Sequence, residues 1–304
     1  MKFGLIGLGR IGGGLARQAM EKGHQVVGYD SHPESIQRLV QEGLESAPSL
    51  EEFVRMLTAP CLILIFVPHG EPTEQTIMAL KSCLQPGDIV ADGGNSHWQD
   101  SVRRYEELRA QGIAFLDIGT SGGLEGAQHG ACFMVGGDAE AFAKAAPLLH
   151  DLAVPEGLLH VGPAGAGHFV KLIHNAIEFG TVQAIAEGID LLTRSDYPLN
   201  LPALFHNWSH GSVIRGWLVE LMERGLREQT LEKLSGYVED TREVKRVVEY
   251  ALEKEAWIPV IAQSELAFYR YRDPDSVAGK AVALLRHGFG GHPLHRAPVE
   301  ALKP

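Results

Sequence analysis

The sequence predicts a doubly wound α/β N-terminal half joined to an all-helical C-terminal half. Three observations carry the expectation. Short apolar runs alternate with helix-length amphipathic stretches up to Leu152, glycine-rich segments follow several of those runs, and strand signals nearly vanish from Gly165 onward. A chain of 304 residues suits two domains better than one, and the change of pattern places them at residues 1–163 and 164–304.

The first apolar run, Lys2 to Gly7, reads as a buried strand, and Leu8-Gly9-Arg10-Ile11-Gly12 leads from it into a helix through Ala16, Ala19 and Met20. Gly7, Gly9 and Gly12 therefore form G-x-G-x-x-G between a strand and a helix. A dinucleotide needs this arrangement. The first glycine makes the tight turn, the second lets backbone N–H groups approach the pyrophosphate, and the third lets helix and strand pack closely. The α/β domain is thus expected to be Rossmann-like, with a nicotinamide dinucleotide as cofactor. Gln25 to Tyr29 follows as a second strand ending in Asp30, 18 residues beyond Gly12, near the spacing of a carboxylate on the adenosine ribose. A carboxylate accepts hydrogen bonds from ribose hydroxyls but repels a 2′-phosphate, and no Lys or Arg follows until Arg38. NAD is expected over NADP.

Further strands are expected at Cys61–Val67, Ile89–Ala91, Ile113–Asp117 and Cys132–Val135, with helices around Glu71–Lys81, Asp100–Ala110 and Ala139–Leu152. The segments after these strands, Val67-Pro68-His69-Gly70, Asp92-Gly93-Gly94-Asn95-Ser96 and Gly119-Thr120-Ser121-Gly122-Gly123, fall at strand C-termini. Ligands of open α/β sheets bind there. Breaks at Pro198, Gly211, Gly225 and Pro274 divide the remainder into helices, with no repeat and no Pro/Ser-rich linker.

The helical pattern that joins the halves, Gly165 to Glu178, carries chemistry on one face. At 100° per residue Lys171, His174, Asn175 and Glu178 fall within one arc of roughly 100°, while Phe169, Val170, Leu172, Ile173 and Ile177 point elsewhere. Such i,i+4 pairs also decorate ordinary solvated helices. Gly165 and Gly167 argue otherwise, since a surface helix has no need of a start that another backbone or a ligand approaches closely. The expectation is a polar arc on an otherwise buried helix, the setting in which ionisable groups become functional candidates.

The composition narrows the partners. A formal net charge of −11 and no basic stretch exclude a nucleic-acid role, and no run of 18 apolar residues would span a membrane. A small anionic substrate stays possible through a local cluster of Arg, Lys and His. Met1 to Ile6 shows neither a basic leader nor an apolar signal core, so a cytoplasmic location is expected. Cys61, Cys83 and Cys132 are odd in number and set among apolar neighbours, which points to buried thiols.

Five motifs, in order and spacing, resemble the decarboxylating 6-phosphogluconate dehydrogenases. They are the glycine fingerprint, Asp92-Gly93-Gly94-Asn95-Ser96, Ser121-Gly122-Gly123-x-x-Gly126, Gly165-Ala166-Gly167-His168-Phe169-Val170-Lys171-x-x-His174-Asn175-x-x-Glu178, and Arg286-x-x-Phe289-Gly290-Gly291-His292. The chain length resembles the short, often NAD-using branch. The resemblance implies that Lys171 is the general base on the substrate 3-hydroxyl, and that Glu178 protonates C1 of the enediol left after decarboxylation. Such a pair needs a protonated acid and a neutral base at the outset. It further implies that Ser121, Gly122 and Gly123 hold the carboxylate or adjacent hydroxyls, that Asn95 lies between cofactor and substrate, and that His174 and Asn175 orient the 3-hydroxyl. Arg215 and Lys245 match phosphate-binding positions. Arg286 and His292 match a pair contributed by the partner subunit, so at least a homodimer is implied.

Two departures bear on the substrate. Phe179 stands where the family usually has Tyr, and Lys245-Arg246-Val247 stands where it usually has Lys/Arg-Trp-Thr. Each loses a hydroxyl, which points to weaker phosphate binding or to an unphosphorylated sugar acid. No metal is implied, and His206 and His210 have ligand spacing without a third ligand signature. Two alternatives are kept: a non-decarboxylating 3-hydroxyacid dehydrogenase, which would lack the acid, and a non-catalytic NAD-binding sensor.

Overall fold

The apolar runs become strands of one sheet because their residues are buried on both faces, as in Leu62–Ile65, where all four side chains are covered. The computed structural model describes residues 1–239, 242–271 and 273–296. In chain order the first unit contains β1 (Lys2–Ile6), α1 (Arg10–Glu21), β2 (Gln25–Tyr29), α2 (Pro33–Gln41), β3 (Glu45–Ser46), α3 (Leu50–Arg55), β4 (Leu62–Ile65) and α4 (Glu71–Lys81). It continues with β5 (Ile89–Asp92), α5 (Trp98–Arg109), β6 (Ala114–Ser121), α6 (Gly123–His129), β7 (Ala131–Gly137), α7 (Ala139–Leu152) and β8 (Ala153–Gly162).

Among the described residues the sheet order is β3-β2-β1-β4-β5-β6-β7-β8, parallel throughout except for the antiparallel pair β6 and β7. Strand order reverses between β1 and β4, so the topological switch point lies beside the glycine loop after β1. Its core is the row of Phe3, Leu5, Leu15, Leu64 and Phe133 on one face and Ile63, Ile65, Phe53 and Phe115 on the other.

Helix α8 (Ala166–Thr193), with 28 residues, runs out of this unit. Contacts divide the chain into two compact units, Met1–Lys171 and Leu172–Pro304, so the division falls inside α8. The second unit continues with α9 (Leu201–Ser209), α10 (Trp217–Glu228), α11 (Glu243–Glu253), α12 (Pro259–Arg270) and α13 (Val277–Gly290). They pack about Phe179, Val182, Phe205, Met222 and Leu285. Among the described residues no helix is long and apolar enough to cross a membrane.

The α/β and helical classes are as expected, and three details differ. Strands β3 and β8 and helices α2, α3 and α6 lie outside the elements expected from the sequence, and β6 runs on through Gly119, Thr120 and Ser121, expected as part of the segment after it. Pro155-Glu156-Gly157 interrupts β8, with Glu156 at a φ of 63°, and an edge strand tolerates such a break. The cysteines are not uniformly buried: Cys61 is buried, Cys83 is intermediate and Cys132 is exposed. Cys132 occupies the one outward position of β7, whereas burial and then the Asp88 carboxylate push the Cys61 thiol up to about 12. Lastly, α8 is buried along one side and not all round. Ile177 is 58% exposed, while Lys171, Asn175 and Phe179 lie on the covered side.

Candidate active site

The glycine loop has the form that a pyrophosphate requires. Gly7 donates its N–H to the Tyr29 carbonyl at 2.9 Å and holds a φ of +87°, a conformation open to glycine. A Cβ on Gly12 would collide with the Gly7 carbonyl, so this glycine is required by packing. Gly9 is different: a Cβ there would meet nothing within 4 Å. The fold therefore does not need a glycine at position 9, and an approaching ligand would. Gly9 is also the N-cap of α1, which has no side-chain cap and no acidic residue in its first turn, so the positive end of the helix dipole there suits an anion.

Gly9→Ala is accordingly expected to leave thermal stability unchanged or raised by about 0.5 kcal/mol, since its backbone is compatible with alanine. It should weaken NAD binding by roughly tenfold or more through the lost close approach. Gly12→Ala should instead lower the melting temperature. Equal melting losses for both would contradict the division of labour.

Asp30 closes one side of the loop. Its carboxylate accepts the Leu8 N–H at 2.6 Å and the His32 N–H at 2.8 Å. The loops after β4 and β5 join the same edge. A Cβ on Gly94 would lie 2.5 Å from the Val67 carbonyl, and one on Gly93 would strike the Phe66 ring at 2.5 Å. Thr73 Oγ1 fastens the first of these loops by donating to the Pro68 carbonyl at 2.9 Å. Val67 is half-buried beside Gly7, whereas Pro68 and Arg10 are exposed and Ile11 is packed against the core.

Asn95 holds a φ of 57°, a left-handed conformation that costs a non-glycine residue of order 1 kcal/mol. Its neighbours hold it there. The buried Asp92 accepts the Gly94 N–H at 2.9 Å and the Ser96 hydroxyl at 2.8 Å. Arg104, 2% exposed, donates from Nη1 to Asp92 and to Ser96, both at 3.1 Å, and from Nε to Glu74 at 3.1 Å. A hydrogen bond from Arg103 and a weaker contribution from Arg104 hold the Glu74 carboxyl below the usual carboxylate range.

Lys171 is 8% exposed and lies against β6: a Cβ on Gly119 would come within 2.6 Å of the Lys171 Cβ. Ser121 and Gly122 stand just beyond Gly119, where β6 turns through Gly122 in the left-handed region into α6, whose first residue is Gly123. The start of α8 is fixed by Asp117, fully buried, which accepts the Gly165 N–H at 2.7 Å and the His168 N–H at 2.8 Å. An anionic acceptor at a helix N-terminus satisfies orphan donors and complements the dipole.

In the second unit His174 Nδ1 and Asn175 Oδ1 are 3.1 Å apart, and Asn175 Nδ2 donates to Glu243 at 3.0 Å. Glu178 stands 3.8 Å from His174 Nδ1, one turn along. Phe179 follows, with the Arg286 guanidinium 5.8 Å over its ring. Arg286 is 3% exposed and donates to the Glu239 carbonyl at 2.6 Å, so in the protomer it packs inside its own helical unit. His292 lies just past α13, its carbonyl 2.8 Å from His287 Nδ1. Arg215 is exposed in the segment between α9 and α10 and donates to the Ser212 carbonyl at 3.1 Å, and Lys245 pairs with Glu249 at 3.9 Å on the exposed side of α11. His206 pairs with Glu223 at 3.0 Å, and among the described residues no group of three or more His, Cys, Asp or Glu could hold a metal.

Sequence reasoning missed Arg104, Asp117 and Glu243 as parts of the site. Asp92 and Ser96 were visible only as members of a loop motif. A buried arginine on α5 has no signature of its own beside the 45% exposed side chain of Arg103.

Residues 2–162 match the family described as the NAD binding domain of 6-phosphogluconate dehydrogenase, and residues 167–229 match the 6-phosphogluconate dehydrogenase C-terminal domain. YqeC of Bacillus subtilis (strain 168), provisionally named a 6-phosphogluconate dehydrogenase, is 44% identical over 96% of this chain and 98% of its own length. The NAD(+)-dependent, decarboxylating 6-phosphogluconate dehydrogenase of Haloferax volcanii is 38% identical over 97% of this chain and 99% of its own. Among solved structures, the Plasmodium falciparum 6-phosphogluconate dehydrogenase aligns with a TM-score of 0.79 at 24% identity, over 89% of this chain and 62% of that one. The 3-hydroxyisobutyrate dehydrogenase of Mycobacterium tuberculosis aligns with a TM-score of 0.74 at 21% identity, over 94% and 99%. These two structural likenesses concern the fold.

Proposed function

The chain belongs to the 6-phosphogluconate dehydrogenase family of oxidoreductases, and from that premise we propose that it oxidises and decarboxylates 6-phosphogluconate or a close aldonate with NAD. The observation that carries the reading is the pairing, on α8, of the buried Lys171 with the acid Glu178 seven residues on. Seven residues bring the two back to nearly the same face, about 10 Å apart along the axis. Long side chains at that spacing can serve opposite ends of a three-carbon unit.

In this reading Lys171 accepts the proton of the substrate 3-hydroxyl as the C3 hydride departs. NAD, when bound, supplies the hydride acceptor. Oxidation makes a 3-keto acid, whose C1 carboxylate leaves as carbon dioxide, the bonding pair passing into an enediol. Protonated Lys171 steadies the developing oxyanion at C3. Glu178 then delivers a proton to the carbon that has lost the carboxylate, giving the ketose. Asn175, held between His174 and Glu243, orients the 3-hydroxyl, Asn95 separates cofactor from substrate, and Ser121 to Gly123 receive the carboxylate. Arg215, Lys245, Arg286 and His292 are the cations proposed for a phosphate, with Phe179 supplying no hydroxyl to it. The carboxylate of Asp30 supports NAD over NADP, because it would repel a 2′-phosphate.

A homodimer or higher assembly is part of the proposal. Val213 is 98% exposed, Ile214 56% and Ile177 58%, apolar surface of the kind that subunit contacts cover. A monomer mass by light scattering would contradict it.

The full-length fold likeness to a 3-hydroxyisobutyrate dehydrogenase favours one second reading, oxidation without decarboxylation. A screen of 6-phosphogluconate, free aldonates and short 3-hydroxyacids with NAD and NADP, reading reduced cofactor and carbon dioxide together, decides. Equal amounts of NADH and carbon dioxide from a sugar acid are expected. NADH without carbon dioxide selects the second reading, and NAD binding without turnover of any acid would leave a sensor.

A further inference from the structure

Helix α5 carries a buried stripe at helical spacing, Ser101, Arg104 and Leu108. Two of these three are polar, and each reaches a different part of the candidate site within the first unit. Arg104 bonds Asp92 and Ser96, the residues that flank the left-handed Asn95. Ser101 Oγ lies 2.7 Å from Nδ1 of the fully buried His168, one turn before Lys171. Trp98, the first residue of α5, sets its ring edge-on against Phe169 at 5.4 Å.

The strands beneath explain why one helix can do both. Asp92 and Asp117 stand opposite each other in the parallel register of β5 and β6. Both are fully buried, Asp92 at the end of β5 and Asp117 in the middle of β6, yet they take different donors. Asp92 takes Gly94, Ser96 and Arg104, and Asp117 takes Gly165 and His168. A buried carboxylate needs such donors. Helix α5 ties these two clusters together.

We propose that the inner face of α5 is a positioning device that sets Asn95 and Lys171 in one frame, with Arg104 acting through the Asn95 loop and Ser101 through the first turn of α8. The proposal rests on the roles given above to Asn95 and Lys171. Neither Arg104 nor Ser101 is assigned contact with substrate or cofactor. Arg104 is suited to the task because its planar fork serves Asp92, Ser96 and Glu74 at once, which a lysine cannot. The Glu74 contact extends the hold to α4 and so to the Val67–Gly70 loop before it.

The test compares Arg104→Lys, Ser96→Ala and Ser101→Ala in the full chain, each alone and the first two also with Asn95→Gly. Arg104→Lys should weaken NAD binding by about 3- to 10-fold and lower kcat by about 10- to 100-fold, because small misplacements of a reacting geometry are costly. In the Asn95→Gly background the same substitution should change kcat by less than about twofold, since the two act as one unit. Ser101→Ala should lower kcat by about fivefold and leave NAD affinity unchanged, because its path leads to the base. Losses from Arg104→Lys that simply multiply with those of Asn95→Gly would overturn the proposal, as would a Ser101→Ala effect on NAD affinity equal to that of Arg104→Lys. Should Arg104→Lys not fold, Ser96→Ala decides by the same cycle, for it removes one hydroxyl and uncovers no charge. The NAD titrations need no turnover. If the unaltered protein oxidised no sugar acid, the proposed reaction would fail while the affinity contrast still judged α5.

Discussion

Lys171→Met is expected to reduce kcat by about 10³-fold, within the range a general base contributes, while the dissociation constant for NAD changes by less than about twofold. Lys171 lies 8% exposed with its stem against Gly119, and the residues of the glycine loop, Gly7 to Gly12, are not among the atoms that crowd Gly119. Methionine keeps an unbranched stem of similar length in that channel and removes only the nitrogen. Melting should therefore be little altered. Lys171→Arg sharpens the test, since a guanidinium keeps the positive charge but cannot give up a proton. If Lys171 were needed only for its charge, the arginine variant would retain much of the rate. As a base, both variants are expected to fail. A large loss of NAD affinity in the methionine variant, measured by fluorescence titration, would move Lys171 from the chemistry to cofactor binding.

Much of this could be read from local spacing, and what could not depended on contacts between distant segments. Gly7, Gly9 and Gly12 lie within six residues, so their turn and helix start are written in a short window. The arc of Lys171, Asn175 and Glu178 follows from helical period alone. The period does not say which side of a helix is covered, and the expectation that Ile177 is buried was wrong for that reason. Ile177 lies about 200° round from Asn175, and the buried side takes in the polar His168, Lys171 and Asn175 together with Leu172, Ala176 and Phe179. The bond from Asn175 to Glu243 spans 68 residues, and that between Ser101 and His168 spans 67. Neither has a local trace. Arg103 and Arg104 are adjacent identical residues, and only the packing of α5 on β6 makes one a surface ion pair and the other a buried fork.

Glu178→Gln should separate the first turnover from those that follow. The substitution keeps the shape and a hydrogen-bonding group but removes the transferable proton. Hydride removal and loss of carbon dioxide precede the step assigned to Glu178, so rapid mixing is expected to give NADH and carbon dioxide at about one equivalent per site. Steady turnover should then be slower by about 10²- to 10⁴-fold, the usual contribution of a general acid. His174 bears on the same step. Its Nδ1 is 3.8 Å from the Glu178 carboxylate. The same Nδ1 lies 3.1 Å from Asn175 Oδ1, so the ring stands between the acid and the residue proposed to orient the 3-hydroxyl. His174→Gln, lacking a titrating ring, should therefore slow the protonation step less than Glu178→Gln does and should show no burst of comparable size. A non-decarboxylating enzyme has no enediol to protonate, and in it Glu178→Gln would slow neither phase selectively. Equal slowing of the first and later turnovers by Glu178→Gln would place the acid before hydride transfer and defeat the assignment.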